Sequence, residues 1–402
     1  MNENRRVKDN MIIQYFKDLG SMLKEHIRDY GMYVALLAII VVFAIGTGGN
    51  FLSSRNISNL LNAFGYIAVM AVGMTLIIVI RHIDLSVGYV NGFVGAVAAI
   101  LMVSAGLPVW LVVILALALG VVIGMWHGFL VAIMGIPAFV ATLAGMFLFR
   151  GLLLQTLQST GTLIIPNEAF IAISNGYIPD IMNIDGYHVL TLIIGALVII
   201  GFIVFEFKNR QTKLKYNFKV SVPSIFVTKL LFMSVLIGLI AYILATYRGI
   251  SWTVVIVVIV VTIYSIMMNK TTIGRYIYAV GGNPEAAELS GISVKKITMF
   301  VFGSMSMLAA LSGLMFASRL RSATVTAGLG FELDAIAAAF VGGASATGGV
   351  GKVTGSIVGA IVMASLSNGM NMMGVAESIQ YIVKGLVLVV AVIFDVRTRN
   401  KK

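Results

Sequence analysis

Apolar residues dominate this chain in long runs, with short polar stretches between them. The runs fall at about 31–46, 60–80, 86–105, 109–133, 138–157, 189–207, 230–246, 251–268, 298–318, 335–347, 354–373 and 377–395. Most are long enough for a helix that crosses a hydrocarbon core of about 30 Å. The run 335–347 is too short to do so straight, and is expected to be broken or shielded by its neighbours. The pattern predicts an all-α, polytopic helical membrane protein of about 12 spans. Residues 1–28 read differently. Ile12, Tyr15, Phe16, Leu19, Leu23 and Ile27 form a helical stripe opposite a charged face, the pattern of an interfacial helix.

Composition agrees with the pattern. Of 402 residues, 59% are hydrophobic and 11% charged, and the mean hydropathy is +1.00. So few charges cannot clothe a water-soluble domain. No small-residue cleavage site follows the first apolar run, so no secretory leader is expected. The chain has no cysteine, which excludes disulfides, iron–sulfur ligation and thiolate zinc sites.

The net charge of +12 does not form a nucleic-acid patch. Lys and Arg recur between apolar runs, as the positive-inside rule expects. Alternation places the 1–30 segment inside, with the basic loop 208–229, the loop 269–297 and the tail 397–402. The 158–188 loop then lies outside. It carries Glu168, Asp180 and Asp185 and no Lys or Arg. Arg55, Arg248, Arg319 and Arg321 are exceptions on outer loops. Residues 31–396 read as one transmembrane domain with both termini cytoplasmic.

Several motifs bear on chemistry. Gly120, Gly124 and Gly128 form a GxxxGxxxG row, and Gly88/Gly92 and Gly355/Gly359 repeat the spacing. Such rows let helix backbones approach, within one chain or at a seam between two copies, with packing inside the chain favoured. "ATGGVGKVTG" (Ala346–Gly355) fails as a Walker loop, because Ala346 stands where a glycine is needed and Val353 where Ser or Thr is needed. It reads as a turn. His26, His82, His127 and His188 have no metal-pair spacing. No metal, cofactor or catalytic constellation is expected.

"RHIDLSVG" (Arg81–Gly88) interrupts two runs and brings in Asp84 and Ser86, while "FELDAIAAAF" (Phe331–Phe340) brings Glu332 and Asp334 to the short run. A carboxylate at mid-bilayer costs about 2.5–3.5 kcal/mol on insertion scales, so such residues mark functional candidates. The competing reading for Asp84 is a cap on free N–H groups at the next helix start. The two are compatible if a broken helix lines a cavity. Asn91, Asn368 and Asn371 are further polar residues within spans, suited either to the hydroxyls of a solute or to helix packing.

One stretch looks soluble: "GGNPEAAELSGIS" (Gly281–Ser293). Asn283 suits an N-cap, Pro284 the first helical position, Glu285 and Glu288 the positive end of the helix dipole, and Gly291 the C′ position. Two turns of helix are not stable alone in water. The segment calls for a partner.

This stretch resembles the EAA loop of binding-protein-dependent ABC importer permeases, where it forms a coupling helix. "AVGMTLIIVIRHIDLSVG" (Ala71–Gly88), "FVATLAGMFLFRGL" (Phe139–Leu152), "GRYIYAVGGNPEAAELSGISV" (Gly274–Val294), "FELDAIAAAFVGGASATGGVGKVTGSIVGA" (Phe331–Ala360) and "SLSNGMNMMGV" (Ser365–Val375) resemble, in the same order, the monosaccharide permeases of the ribose/xylose/galactose group. Residues about 208–250 add sequence before the coupling loop, as in the longer xylose-permease branch.

The resemblance implies a ten-span core plus an added span pair, in a bacterial inner-membrane permease with no ATPase of its own. Implied partners are a second copy of the chain, a cytoplasmic ABC ATPase, a periplasmic sugar-binding protein, membrane lipid and a monosaccharide. A xylose-type pentose is favoured over ribose, galactose or several sugars. Asn283, Pro284, Glu285, Ala286, Ala287, Glu288, Leu289 and Gly291 would dock on the ATPase, with Leu289 filling an apolar pocket. Asp84, Ser86, Asn91, Asp334, Asn368 and Asn371 are candidates for the path or its helix break. Glu168, Asp180 and Asp185 would face the binding protein. The alternative is an ion-coupled sugar carrier using Asp84 or Asp334.

Overall fold

The computed structural model describes residues 27–184, 186–218, 220 and 222–399. Asp185, residues 400–402 and all but the last two residues of the expected 1–28 helix lie outside them. The described residues form fifteen α-helices: α1 Ile27–Gly46, α2 Ser54–Val79, α3 Val87–Val103, α4 Val109–Ala132, α5 Ala138–Thr156, α6 Glu168–Asn175, α7 Val189–Lys215, α8 Pro223–Ala245, α9 Trp252–Lys270, α10 Thr272–Gly282, α11 Pro284–Leu289, α12 Val294–Leu320, α13 Phe331–Val341, α14 Val353–Met372 and α15 Glu377–Arg399. Four short strands accompany them: β1 Thr162–Ile164, β2 Asn183–Ile184, β3 Tyr187–His188 and β4 Ser322–Thr324. The β1–β4 pair is antiparallel, as is β2–β3.

Among the described residues nine helices are long and apolar enough to cross a membrane, and α3 and Gly31–Gly46 of α1 are shorter apolar helices. The fold is that of an all-α polytopic membrane protein. The expected short span is α13, which begins at Phe331 rather than 335. Gly330 adopts the left-handed conformation (φ 76°) just before it, and Glu332 and Asp334 occupy its first turn. Gly342 and Gly343 (φ 89°) end it. Eleven residues rise only about 16 Å.

The chain forms two units. One holds residues 178–250 with 53–58. Here α7 and α8 pack on each other. Only 11% of the most apolar stretch of α7 and 6% of that of α8 is buried in the molecule, so both present their apolar faces to lipid. The loop expected over 208–229 is mostly helix. Lys208 to Lys215 continue α7, and α8 starts at Pro223. Lys, Arg and Gln are good helix formers, and propensity carries the helix past its apolar end. Lys229 Nζ pairs with Glu206 Oε1 across the two helices at 2.8 Å.

The other unit comprises residues 32–52, 59–177 and 251–402. Its centre is α2 and α12, with 89% and 72% of their apolar stretches buried. Helix α4 lies along α12 by its glycine row. A Cβ on Gly120 would stand 2.6 Å from Ser306 O, one on Gly128 would stand 2.8 Å from Met299 Cα, and one on Gly124 would collide with Phe302 O. Gly355 and Gly359 of α14 meet Gly342 and Ala338 at the end of α13 in the same way. All these glycine contacts are made within the chain.

Candidate functional site

Four helices of the larger unit enclose a cavity of about 270 Å³. Leu60, Phe64 and Tyr66 line it from α2, Asp334 from α13, Met363, Ser367, Asn368 and Asn371 from α14, and Lys384 from α15. Pockets for drug-sized ligands run to about 300–1,000 Å³, so this one suits a smaller molecule. Its charges are internally balanced. Lys384 Nζ donates to both carboxylate oxygens of Asp334, at 3.0 and 3.2 Å. Gln380 Nε2 donates to Asn371 Oδ1 at 2.6 Å. Tyr66 meets Phe316 edge-on and Phe331 at a tilt, each ring centroid 5.0 Å away.

Asp334, Asn368 and Asn371 thus come together in one cavity. Asp84, Ser86 and Asn91 are not among its lining residues. They are fully buried and serve the helix break and helix packing. Asp84 Oδ1 accepts from Ser86 N at 2.9 Å and from Ser86 Oγ at 2.6 Å, which satisfies donors at the start of α3. Asn91 Nδ2 donates to Ser312 Oγ (2.7 Å), which donates to Tyr66 O (2.8 Å), tying α3, α12 and α2 together. These bonds use Asp84 Oδ1 and Asn91 Nδ2, while Asp84 Oδ2 and Asn91 Oδ1 are buried without a hydrogen-bond partner among the described residues.

Sequence reasoning missed Tyr66, Ser367 and Lys384. Lys384 left a signal, as a lone ammonium inside the apolar run 377–395, where an ionisable side chain needs a partner. Among the described residues no cluster of His, Asp and Glu could hold a metal ion.

The stretch 283–291 has the geometry its caps predict. Asn283 Oδ1 accepts from Ala286 N at 3.1 Å, Pro284 is at the first helical position, and Gly291 has φ 82°. Helix α11 has two faces. Leu289 is 91% exposed, and Glu285, Ala286 and Glu288 are also exposed. Ala287 is buried against the chain's own core. It therefore belongs to the seat of the helix and not to its exposed face.

The 158–188 segment is more ordered than its composition suggests. Asn167 caps α6, accepting from Phe170 N at 3.1 Å, and Glu168 in the first turn is exposed. Asn175 Nδ2 donates to Ser318 O at 2.7 Å, which anchors α6 to α12. Asp180 is a structural cap. Its carboxylate accepts from Ile181 N, Leu190 N and Val189 N at 2.8–2.9 Å, holding the start of α7. His188 Nδ1 lies 3.8 Å from it. Burial tends to raise the Asp180 pKa, but the backbone donors and His188 outweigh it and leave the group below the usual carboxylate range.

Comparison with known proteins places this architecture. The family model described as "Branched-chain amino acid transport system / permease component" matches residues 56–392. The xylose transport system permease protein of Haemophilus influenzae is 39% identical over 374 residues, 93% of this chain and 96% of that protein. Its Escherichia coli counterpart is 38% identical over 371 residues, 92% of each chain. The ribose import permease protein of Haemophilus influenzae is 36% identical over 370 residues, 92% of this chain and 94% of that protein. No solved structure matches the chain. With most of its length matched by one transport-permease model, the chain belongs to the branched-chain amino acid transport system / permease component family.

Proposed function

We propose that this chain is the membrane permease subunit of an ATP-driven importer of monosaccharides, with a xylose-type pentose as the favoured cargo. The observation that carries the reading is the cavity. It is small, walled by amide, hydroxyl and aromatic groups, and neutralised by the Asp334–Lys384 pair. An uncharged sugar needs hydroxyl partners and an apolar face for its C–H surface, and it needs no net charge. The high identity to xylose and ribose permeases along nearly the whole chain supports the same class.

The permease supplies alternating access and no chemistry. A cytoplasmic ABC ATPase docks on the outer face of α11, through Glu285, Ala286, Glu288, Leu289 and the Gly291 turn. A periplasmic sugar-binding protein meets the 158–188 segment, with Glu168 as the exposed carboxylate. Asp180 is occupied as a cap, and Asp185 is kept in the docking set from its sequence position alone. Two copies enclose the path, in line with the prevalence of symmetric dimers. The termini and the loop bearing α11 face the cytoplasm of the inner membrane, a topology supported by the Lys/Arg distribution.

An ion-coupled carrier would need a carboxylate free to bind and release its ion. Asp334 is already paired with Lys384. The deciding experiment is uptake of labelled D-xylose into vesicles holding the chain with its ATPase and binding protein. Import that requires ATP and persists after ion gradients are collapsed supports the proposal. Import driven by an ion gradient without the ATPase overturns it.

A further inference from the structure

Two backbone carbonyls stand immediately before the docking helix, those of Gly281 and Gly282. Arg81 Nε donates to Gly281 O at 2.7 Å, and Arg81 Nη2 donates to Gly282 O. Arg81 lies just beyond the C-terminal end of α2 in the left-handed conformation (φ 66°), which is uncommon for a side chain of this size. The planar guanidinium presents its donors to the two carbonyls in a fixed fork, a geometry that the single rotating ammonium of lysine does not hold.

A third segment joins the same point. Gly349 N donates to Val79 O at 2.8 Å, and Tyr278 Oη donates to Gly351 O at 2.6 Å. Gly348 (φ 80°) and Gly349 (φ 71°) make the turn. Gly281 has no room for a side chain here, since an added Cβ would run into Val79 O and stand 2.7 Å from Gly349 N. The turn leads directly into α14 at Val353.

Two helices leave this knot, and both line the cavity. Helix α2 contributes Leu60, Phe64 and Tyr66, and α14 contributes Met363, Ser367, Asn368 and Asn371. Ile67 lies twelve residues from Val79, about 18 Å along a stiff helix. Met363 is a similar distance from the start of α14.

We infer that Arg81 is a positioning residue that transmits motion of the ATPase-docked helix α11 to α2 and α14, and through them reshapes the cavity. The inference rests on the docking reading of α11 given above. Without Arg81 the 281–282 backbone still connects to α10, so the ATPase can dock and turn over. Less of its movement reaches α2, because only the packing of Gly281 on the Val79 carbonyl and the Gly349–Val79 bond remain.

The test uses the full chain assembled with its ATPase and binding protein in lipid. The chain has no cysteine, so a nitroxide on Ala364→Cys reports the cavity wall alone. In the parent, ATP with vanadate should change the label spectrum. Arg81→Ala should hydrolyse ATP at the parent rate while the spectral change falls about tenfold, within the usual range of coupling between sites. Arg81→Lys should be intermediate, and Tyr278→Phe, which removes the hydroxyl on Gly351, should give a smaller loss. A full spectral change in Arg81→Ala overturns the inference. So does a parallel loss of hydrolysis and spectral change that Arg81→Lys does not relieve, the mark of simple destabilisation. Leu289→Asp tests the underlying reading separately. If that variant assembles with the ATPase and couples normally, the docking assignment fails whatever Arg81 does.

Discussion

Lys384 of α15 and Asp334 of α13 form a two-pronged ion pair at the wall of the cavity, with both N–O distances at or below 3.2 Å. The two side chains are 21% and 26% exposed, so each depends on the other for solvation. Removing one strands the other. Asp334→Asn or Lys384→Met alone should destabilise the detergent-purified protein by about 1–3 kcal/mol. The double variant should recover part of that loss. Thermal unfolding of the three variants checks it. A double variant worse than the sum of the singles would show that the pair is not the unit of stability.

Filling the cavity should block the sugar and leave the machine intact. Ala364 lies in its wall, and an indole there takes much of the available volume. Ala364→Trp should retain assembly with the ATPase and binding protein while sugar uptake falls by about tenfold or more, the scale of a lost 1.4 kcal/mol or greater. Uptake at the parent rate would move the path elsewhere.

The outer face of α11 can be probed without disturbing the fold. Leu289 is almost wholly exposed, so Leu289→Asp should change stability by less than about 0.5 kcal/mol and abolish co-purification with the ATPase. At Gly291 an added Cβ meets no atom within 4 Å. Within the chain, the effect of Gly291→Val is therefore backbone strain at φ 82°. Sugar-stimulated ATP hydrolysis should fall sharply while the permease inserts normally.

The glycine contacts predict a graded series. Gly124→Leu drives a side chain into the Phe302 carbonyl and Gly303 and should cost about 3 kcal/mol or more, at the upper end for overpacking. Gly151, on the neighbouring α5, faces open space, and Gly151→Leu should be tolerated. Equal losses in the two would show that helix propensity, not close approach, sets the cost.

The outer segment separates docking from capping. Glu168→Lys should weaken binding-protein docking at low salt without unfolding, because the side chain is exposed and screening is minimal there. Asp180 is held below the usual range, so its contribution to stability is complete above the unfolded value near 3.8 and disappears as pH falls through the lower folded value. Exchange of the Val189 and Leu190 amides, corrected for intrinsic rate, should accelerate in acid. Asp180→Asn should show that acceleration at neutral pH.

Most of the helical frame could be read from the residue order, because apolar run length and capping are local properties. Asn283, Pro284 and Gly291 state the boundaries of α11 within a few positions. The C-terminal end of α7 is not legible from polarity, because Lys and Arg extend a helix readily past its apolar stretch. The cavity was only half legible. Asp334, Asn368 and Asn371 announce themselves as polar residues in apolar surroundings, but their meeting with Tyr66 and Lys384 depends on which helices become neighbours. Asn91 shows the converse, since its Nδ2 donates to Ser312, a partner that spacing along the chain cannot name.

The contact between α4 and α12 has a mechanical meaning. Where glycines press backbone against backbone, no rotamers remain to rearrange, and a small sideways step meets hard carbonyls at once. The two helices make a stiff beam. The cavity wall is built instead from long side chains, an ammonium on a four-carbon stem, a thioether and a pair of amides, which can trade partners at modest cost. Alternating access in this protein should therefore be an affair of α2, α14 and α15 moving against a frame that keeps its shape, and a label placed on Met125 of α4 should stay silent while one on the cavity wall responds.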